Sequence, residues 1–173
     1  IPPFPDTTPT SGTPVLTPLP EAAPEATEVG SVQTLFVTDT LSVTHPTAGI
    51  ALTVLACDRM REVQGQPAPS REEYLVCEVE LRNVGSAMVR FSDQAFGITE
   101  RAWWESRPDW MPTVNVGVTD ALGAGTFAPG DSTRGRIVGL VTRPGGGIGG
   151  RRSDAVLVWY QAQVRYVMTL PSE

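Results

Sequence analysis

The stretch Tyr74-Leu-Val-Cys-Glu-Val-Glu-Leu-Arg82 constrains the fold more than any other part of the chain. Leu75, Cys77, Val79 and Leu81 fall on one side of a two-residue repeat, and Tyr74, Glu78, Glu80 and Arg82 fall on the other. Side chains alternate between faces in a strand, whereas a helix brings together residues three and four apart. One apolar and one polar face make a half-buried antiparallel strand. Such a strand needs partner strands beside it and a second layer over its apolar side. The same period predicts strands over 32–37, 41–44, 50–56, 87–91, 96–100, 133–141, 155–160 and 164–170. No run of ten or more residues carries a helical stripe. Asn83-Val84-Gly85 is a turn, and Ala128-Pro129-Gly130-Asp131 fits a type II turn with Gly at its third position. Gly135 and Gly139 interrupt a β-rich run and mark bulges or close contacts. Many short strands separated by turn signals predict an all-β fold, an antiparallel β-sandwich.

Residues 1–30 obey a different rule. They hold eight of the 16 prolines and six threonines, with Phe4 as the single aromatic residue. Proline fixes φ and removes a donor, so the segment favours extended polyproline II. Its few large apolar side chains do not offset the cost of ordering it alone. The chain therefore divides into a Pro/Thr-rich arm or linker at 1–30 and a domain at 31–173. Pro/Thr tracts of exported proteins commonly carry O-glycans. No Asn-x-Ser/Thr sequon is present, since Asn83 and Asn115 are each followed by Val-Gly. The sequence opens at Ile1 without a Met, which reads as a processed or partial chain whose leader is not visible.

Composition narrows the chemistry. The 173 residues carry a net charge of −6, all 13 basic residues are Arg, and there is one histidine, His45. An acidic chain without a basic block is a poor match to a phosphate backbone. Without Lys there is no Schiff base, no P-loop lysine and no Lys isopeptide crosslink. A single His next to Pro46 gives no basis for a metal cluster or a catalytic triad. Glu72, Glu73, Glu78 and Glu80 cluster near one strand, and solvation is the simplest account of them. No cofactor, metal or catalytic residue is expected, and no run of the sequence is long and apolar enough for a transmembrane helix.

Four segments in order carry a resemblance. The strand ending Asn83-Val-Gly85 is followed by Phe96-Gly-Ile-Thr, then Phe127-Ala-Pro-Gly-Asp131-Ser-Thr-Arg-Gly-Arg-Ile-Val138, then Val156-Leu-Val-Trp-Tyr160. This set resembles bacterial secreted domains of unknown function related to the mycobacterial immunoprotective extracellular protein. The resemblance spans about residues 32–170. It implies a telokin-like, immunoglobulin-type sandwich, export, frequent lipid anchoring and no shared catalytic residues. The chain departs from that pattern in the long 101–126 region and the Gly-rich 145–150 loop.

Four features are candidates for interaction or crosslinking. Cys57 and Cys77 lie on consecutive strands, and a hairpin centred near 66–67 sets them opposite one another. A disulfide, two reduced core cysteines, and a redox or metal role are the alternatives. Trp103, Trp104, Trp110 and Met111 fall within nine residues. They read as a loop's own small core over one end of the sandwich, as a protein interface, or as a sugar-stacking surface. Arg151 and Arg152 follow a formal G-x-G-x-x-G at Gly145, Gly147 and Gly150. That match leads into a strand where the dinucleotide fingerprint needs a helix, so it reads as a loop. The two arginines are candidates to meet an acidic neighbour such as Glu21, Glu25 or Glu28 of the arm. Val15-Leu16 in the arm and the 32–37 stretch are the segments best suited to strand pairing with a neighbour.

The expectation is a non-catalytic, exported structural or interaction module at the cell surface or outside the cell. It would act as a subunit of a larger assembly, with protein partners or sister subunits met through the arm. The alternative is a small-ligand or peptide-binding surface module using the Trp-rich 103–111 loop.

Overall fold

In the computed structural model, the described residues are 32–38, 40–106, 118–143 and 154–171. They form two four-stranded sheets packed face to face, plus two small ribbons. The strands are β1 (Gln33–Val37), β2 (Ser42–His45), β3 (Ile50–Met60), β4 (Glu62–Val63), β5 (Gln66–Pro67), β6 (Glu72–Asn83), β7 (Val89–Ser92), β8 (Phe96–Glu100), β9 (Ala124–Phe127), β10 (Ser132–Thr142), β11 (Ala155–Gln161) and β12 (Val164–Thr169). One short helix, α1 (Arg101–Ser106), follows β8. The first sheet runs β1-β12-β11-β8 and the second β10-β6-β3-β2; β4 pairs with β5, and β7 with β9. All pairings are antiparallel except β1 with β12. The all-β sandwich read from the alternating sequence is the fold.

The inner faces supply one core. Ile50, Leu52 and Val54 of β3 and Leu75, Cys77, Val79 and Leu81 of β6 meet Phe96 and Ile98 of β8, Leu157 and Trp159 of β11, and Tyr166 and Met168 of β12. The run 50–54 alternates cleanly, and then Leu55 interrupts the register between Val54 and Ala56. This β-bulge changes which residues face inward, so Cys57 joins the same face as Val54. Cys57 then sits opposite Cys77, and the two form a disulfide. The reading of two reduced core cysteines therefore falls.

The outer face of β6 is not uniformly solvated. Tyr74 and Val76 are buried with Val63 and Val138, with Ala68 and Val118 packed alongside. The two-residue repeat puts Tyr74 on the face shared with Glu78, Glu80 and Arg82. The small β4–β5 hairpin lies over this end of the sheet, which period-two alternation cannot reveal. Glu73 pairs with Arg59 at 2.5 Å and Glu80 with Arg134 at 2.5 Å, so the carboxylates near β6 are shared between two arginines rather than gathered at one point.

The recognised motifs turn out to be joints. Gly130 has φ +86° and the Asp131 N–H donates to the Ala128 carbonyl at 3.0 Å, as a type II turn requires. Asn83 is fully buried and fastens this turn to its own. Its Nδ2 donates to the carbonyls of Ala87 (2.7 Å) and Phe127 (3.1 Å), and its Oδ1 accepts the Gly85 N–H at 3.0 Å. The Asn83 carbonyl also accepts the Gly130 N–H at 2.9 Å. At the same end, buried His45 joins the two sheets. Its Nε2 donates to the Gln161 carbonyl at 3.0 Å, and Nδ1 accepts from the Ala48 N–H at 3.0 Å.

Candidate functional site

Each layer has two edges, and the two sides of the sandwich are finished differently. On one side, β8 lies against β10. Gly139 makes this possible, because a Cβ there would sit 2.5 Å from the Ile98 carbonyl oxygen. The Thr142 N–H donates to Glu100 Oε1 at 2.5 Å, tying the two strand ends together. The outer edge of β10 is also occupied. The Arg136 N–H donates to the Asp120 carbonyl at 2.8 Å, and the Leu122 N–H donates to the Arg136 carbonyl at 3.1 Å. Gly135 leaves the space that Leu122 fills.

Residues 120–122, within the 101–126 region, therefore edge this side. At its start, α1 lays Trp104 on the outer face of the first sheet, against Val156 and Val158 of β11 and Val167 of β12. At its end, Val118 packs on the outer face of the second sheet, and 120–122 edges β10.

The opposite side is bounded by β1 and β2. They are consecutive in the chain but belong to different sheets. Among the described residues, nothing pairs with the outer edge of β1. The Gln33 N–H donates to the Gln163 carbonyl at 3.0 Å, so Gln33, Leu35 and Val37 point their amides at β12. By alternation, Thr34 and Phe36 direct their N–H and C=O groups outward. Phe36 is 55% exposed and Leu35 38%, with Val32 exposed just before them. Phe36 shares the outer face with Val167 and meets the Trp104 ring edge-on at 5.6 Å. An unpaired edge flanked by exposed apolar side chains is a template for another strand.

Of the predicted site residues, the structure describes Cys57, Cys77, Trp103 and Trp104. Trp104 is 5% exposed and belongs to the satellite core on the outer sheet face, not to a loop over an open end. Trp103, next to it, is exposed. Val15, Leu16, Trp110, Met111, Arg151 and Arg152 lie outside the described residues. The 32–37 stretch, read beside Val15-Leu16 as a pairing piece, holds β1, and its outer edge has no partner among the described residues. Its signal was visible in Leu35-Phe36, two consecutive large apolar residues in a strand, which cannot both face one core.

Two open clefts lie at the His45 end. One, of about 630 Å³, is lined by Arg90, Phe91, Ser92, Ala95, Ala124, Gly125, Thr126 and Gln161. The other, of about 420 Å³, lies between the 44–49 and 84–90 segments. Neither is lined by Trp103 or Trp104. Among the described residues no three His, Cys, Asp or Glu side chains gather as metal ligands, and no helix is long and apolar enough to cross a membrane.

Comparison with known proteins places the fold and no more. No family model and no curated protein matches the sequence. Among solved structures, the chain is similar to a "putative lipoprotein" (ycdA) from Bacillus subtilis, with a TM-score of 0.55 and 9% identity. That match covers 76% of this chain and 38% of the other, so this chain spans well under half of that protein's length. The yjhA protein of Bacillus subtilis aligns with a TM-score of 0.48 and 14% identity, over 78% of this chain and 99% of that one. An uncharacterized β-sandwich protein from Clostridium difficile aligns with a TM-score of 0.44 and 10% identity, over 80% and 97%. The relation to the mycobacterial family has no support at the level of sequence matches.

Proposed function

We propose that this chain is a non-catalytic interaction module, exported to the cell surface or the extracellular space, that binds another protein chain along β1. The observation that carries the reading is the asymmetry of the sandwich. One side is closed by β8 against β10 and by 120–122. The other presents the unpaired edge of β1 with Leu35 and Phe36 exposed. Main-chain pairing at such an edge supplies affinity, and the flanking side chains supply specificity.

Three features support export. The Cys57–Cys77 disulfide suits an oxidising compartment. The Pro/Thr arm has the composition of an extracellular stalk, a form that also suits O-glycans and a lipid anchor. The fold is similar to that of a protein described as a "putative lipoprotein", and the order of motifs resembles exported mycobacterial-type domains. The ligand-module alternative is less favoured, because among the described residues Trp104 is committed to the sheet and the two clefts described lie elsewhere.

The test is sedimentation velocity of the full chain carrying Thr34→Pro or Phe36→Asp. Proline at Thr34 removes an outward N–H without breaking the ladder to β12, and is tolerated on a free edge. Association lost in both variants, with an unchanged melting temperature, is the expected result. Association that survives both removes β1 as the binding surface.

A further inference from the structure

The reading of β1 as a docking edge leaves its occupant open, and the arm sequence answers it. Between residues 10 and 24 the prolines are Pro14, Pro18, Pro20 and Pro24, all at even positions. In a strand, the N–H and C=O of alternate residues point to opposite edges. If residues 13–19 extend, Thr13, Val15, Thr17 and Leu19 keep their N–H groups on one edge, and Pro14 and Pro18 fall on the other. Such a segment can pair on one side only. Its second edge carries prolines, which blocks further strand addition.

The host edge has the complementary pattern. Thr34 and Phe36 are the residues whose amides point outward, two in number, matched by Val15 and Thr17. In antiparallel pairing, directly opposed residues share a sheet face. Val15 and Thr17 then lie beside Thr34 and Phe36 on the outer face. Leu16 lies on the inner-face side, next to Leu35. The two exposed apolar residues of β1, Leu35 and Phe36, are thus covered by the only two aliphatic neighbours that lie between Pro14 and Pro18.

We infer that residues 13–19 of one chain add as an antiparallel strand to the outer edge of β1 in a second copy. The intervening segment decides for a second copy over the chain's own edge. Residues 20–32 contain Pro20 and Pro24 together with Glu21, Glu25 and Glu28, and no Lys or Arg precedes Arg59. Proline-rich, like-charged linkers extend at about 3.1 Å per residue, which carries the pairing segment roughly 40 Å from its own β1. A tight return hairpin uses two to five residues instead.

The inference rests on the docking-edge reading, and the experiment separates the two. Full-length chains are followed by sedimentation equilibrium over a concentration series. Wild type associates. Val15→Pro and Thr17→Pro each remove a host-facing N–H and weaken association at least about tenfold, while Leu16→Pro stays within about twofold of wild type. Thr34→Pro spoils the acceptor edge. Mixing Val15→Pro, an intact acceptor, with Thr34→Pro, an intact donor, restores a one-to-one complex and nothing larger. Loss with Thr34→Pro but not with Val15→Pro overturns the arm as occupant and leaves the edge reading standing. Association unaffected by either overturns both. Equal damage from Leu16→Pro and Val15→Pro overturns the register. Absence of a complex in the mixture, or a wild type monomeric up to about 1 mM, overturns exchange between copies.

Discussion

Among the described residues the hydroxyl of Tyr166 has no hydrogen-bond partner, although the residue is almost fully buried. Its ring stacks on Trp159 with centroids 5.1 Å apart and meets His45 edge-on at 5.8 Å. Burial holds the hydroxyl's pKa above the ordinary tyrosine value of 10.0, because ionisation here would leave a charge without solvent. The sign follows from linkage. Below the unfolded-state pKa both states hold the proton, and the contribution to stability is complete. As pH rises past that value the unfolded chain loses its proton while the folded chain keeps it, and stability falls. Tyr166→Phe removes this alkaline loss. Near pH 7 the variant should unfold within about 1 kcal/mol of wild type, since an unpartnered hydroxyl contributes no bond. Urea unfolding at pH 7 and near pH 10.5 checks it: parallel losses in both proteins would refute the assignment. Little of this was legible beforehand. His45 stands out in the sequence only as the single histidine, next to Pro46, and nothing local says that its ring reaches the Gln161 carbonyl on the other sheet.

Strands were legible where one face is wet, and less so where both are covered. The alternation in 74–82 located β6, and the Pro-Gly-Asp and Asn-Val-Gly signals located its flanking turns. Sequence period missed β9, the β4–β5 hairpin and the short α1, because each is held by what lies beneath it rather than by its own pattern. The burial of Tyr74 and Val76 has the same cause. The bulge at Leu55 was also invisible, yet counting back from the hairpin still brought Cys57 opposite Cys77. Gly139 was read as a bulge or a close contact, and it is the contact that lets β8 lie on β10. Gly139→Ala should therefore destabilise the domain by about 2–3 kcal/mol, the upper range for overpacking, because the obstructing atoms include backbone. Denaturant titration measures it; a loss below about 0.5 kcal/mol would mean that the two strands separate freely.

The boundary near Gly30, drawn from proline content alone, falls outside the described residues, which begin at Val32. Among the described residues the buried apolar core runs from Ile50 to Leu170, and the chain before it adds the partly buried Val37, Leu41 and Val43 and the buried His45. A chain beginning at Gly30 should melt within about 2 °C of the full chain at a dilution where both are monomeric, since that shift corresponds to well under about 1 kcal/mol in a domain of this size. A drop beyond about 5 °C would show that the arm completes its own domain. The acidic, lysine-free surface removed several chemistries from consideration, but it did not point to an edge. That came from the way β1 and β2 divide between the layers.

The parallel pairing of β1 with β12 has a mechanical consequence. The arm enters at the start of β1, and the described chain leaves past the end of β12, at Leu170. In a parallel pair these two points lie at opposite ends of the ladder. Tension arriving through the arm and leaving past Leu170 therefore pulls the two strands lengthwise past each other. Every hydrogen bond from Gln33 to Val37 is strained together rather than one after another. A tethered module joined in this way resists force at its first strand, the one that also carries the exposed edge.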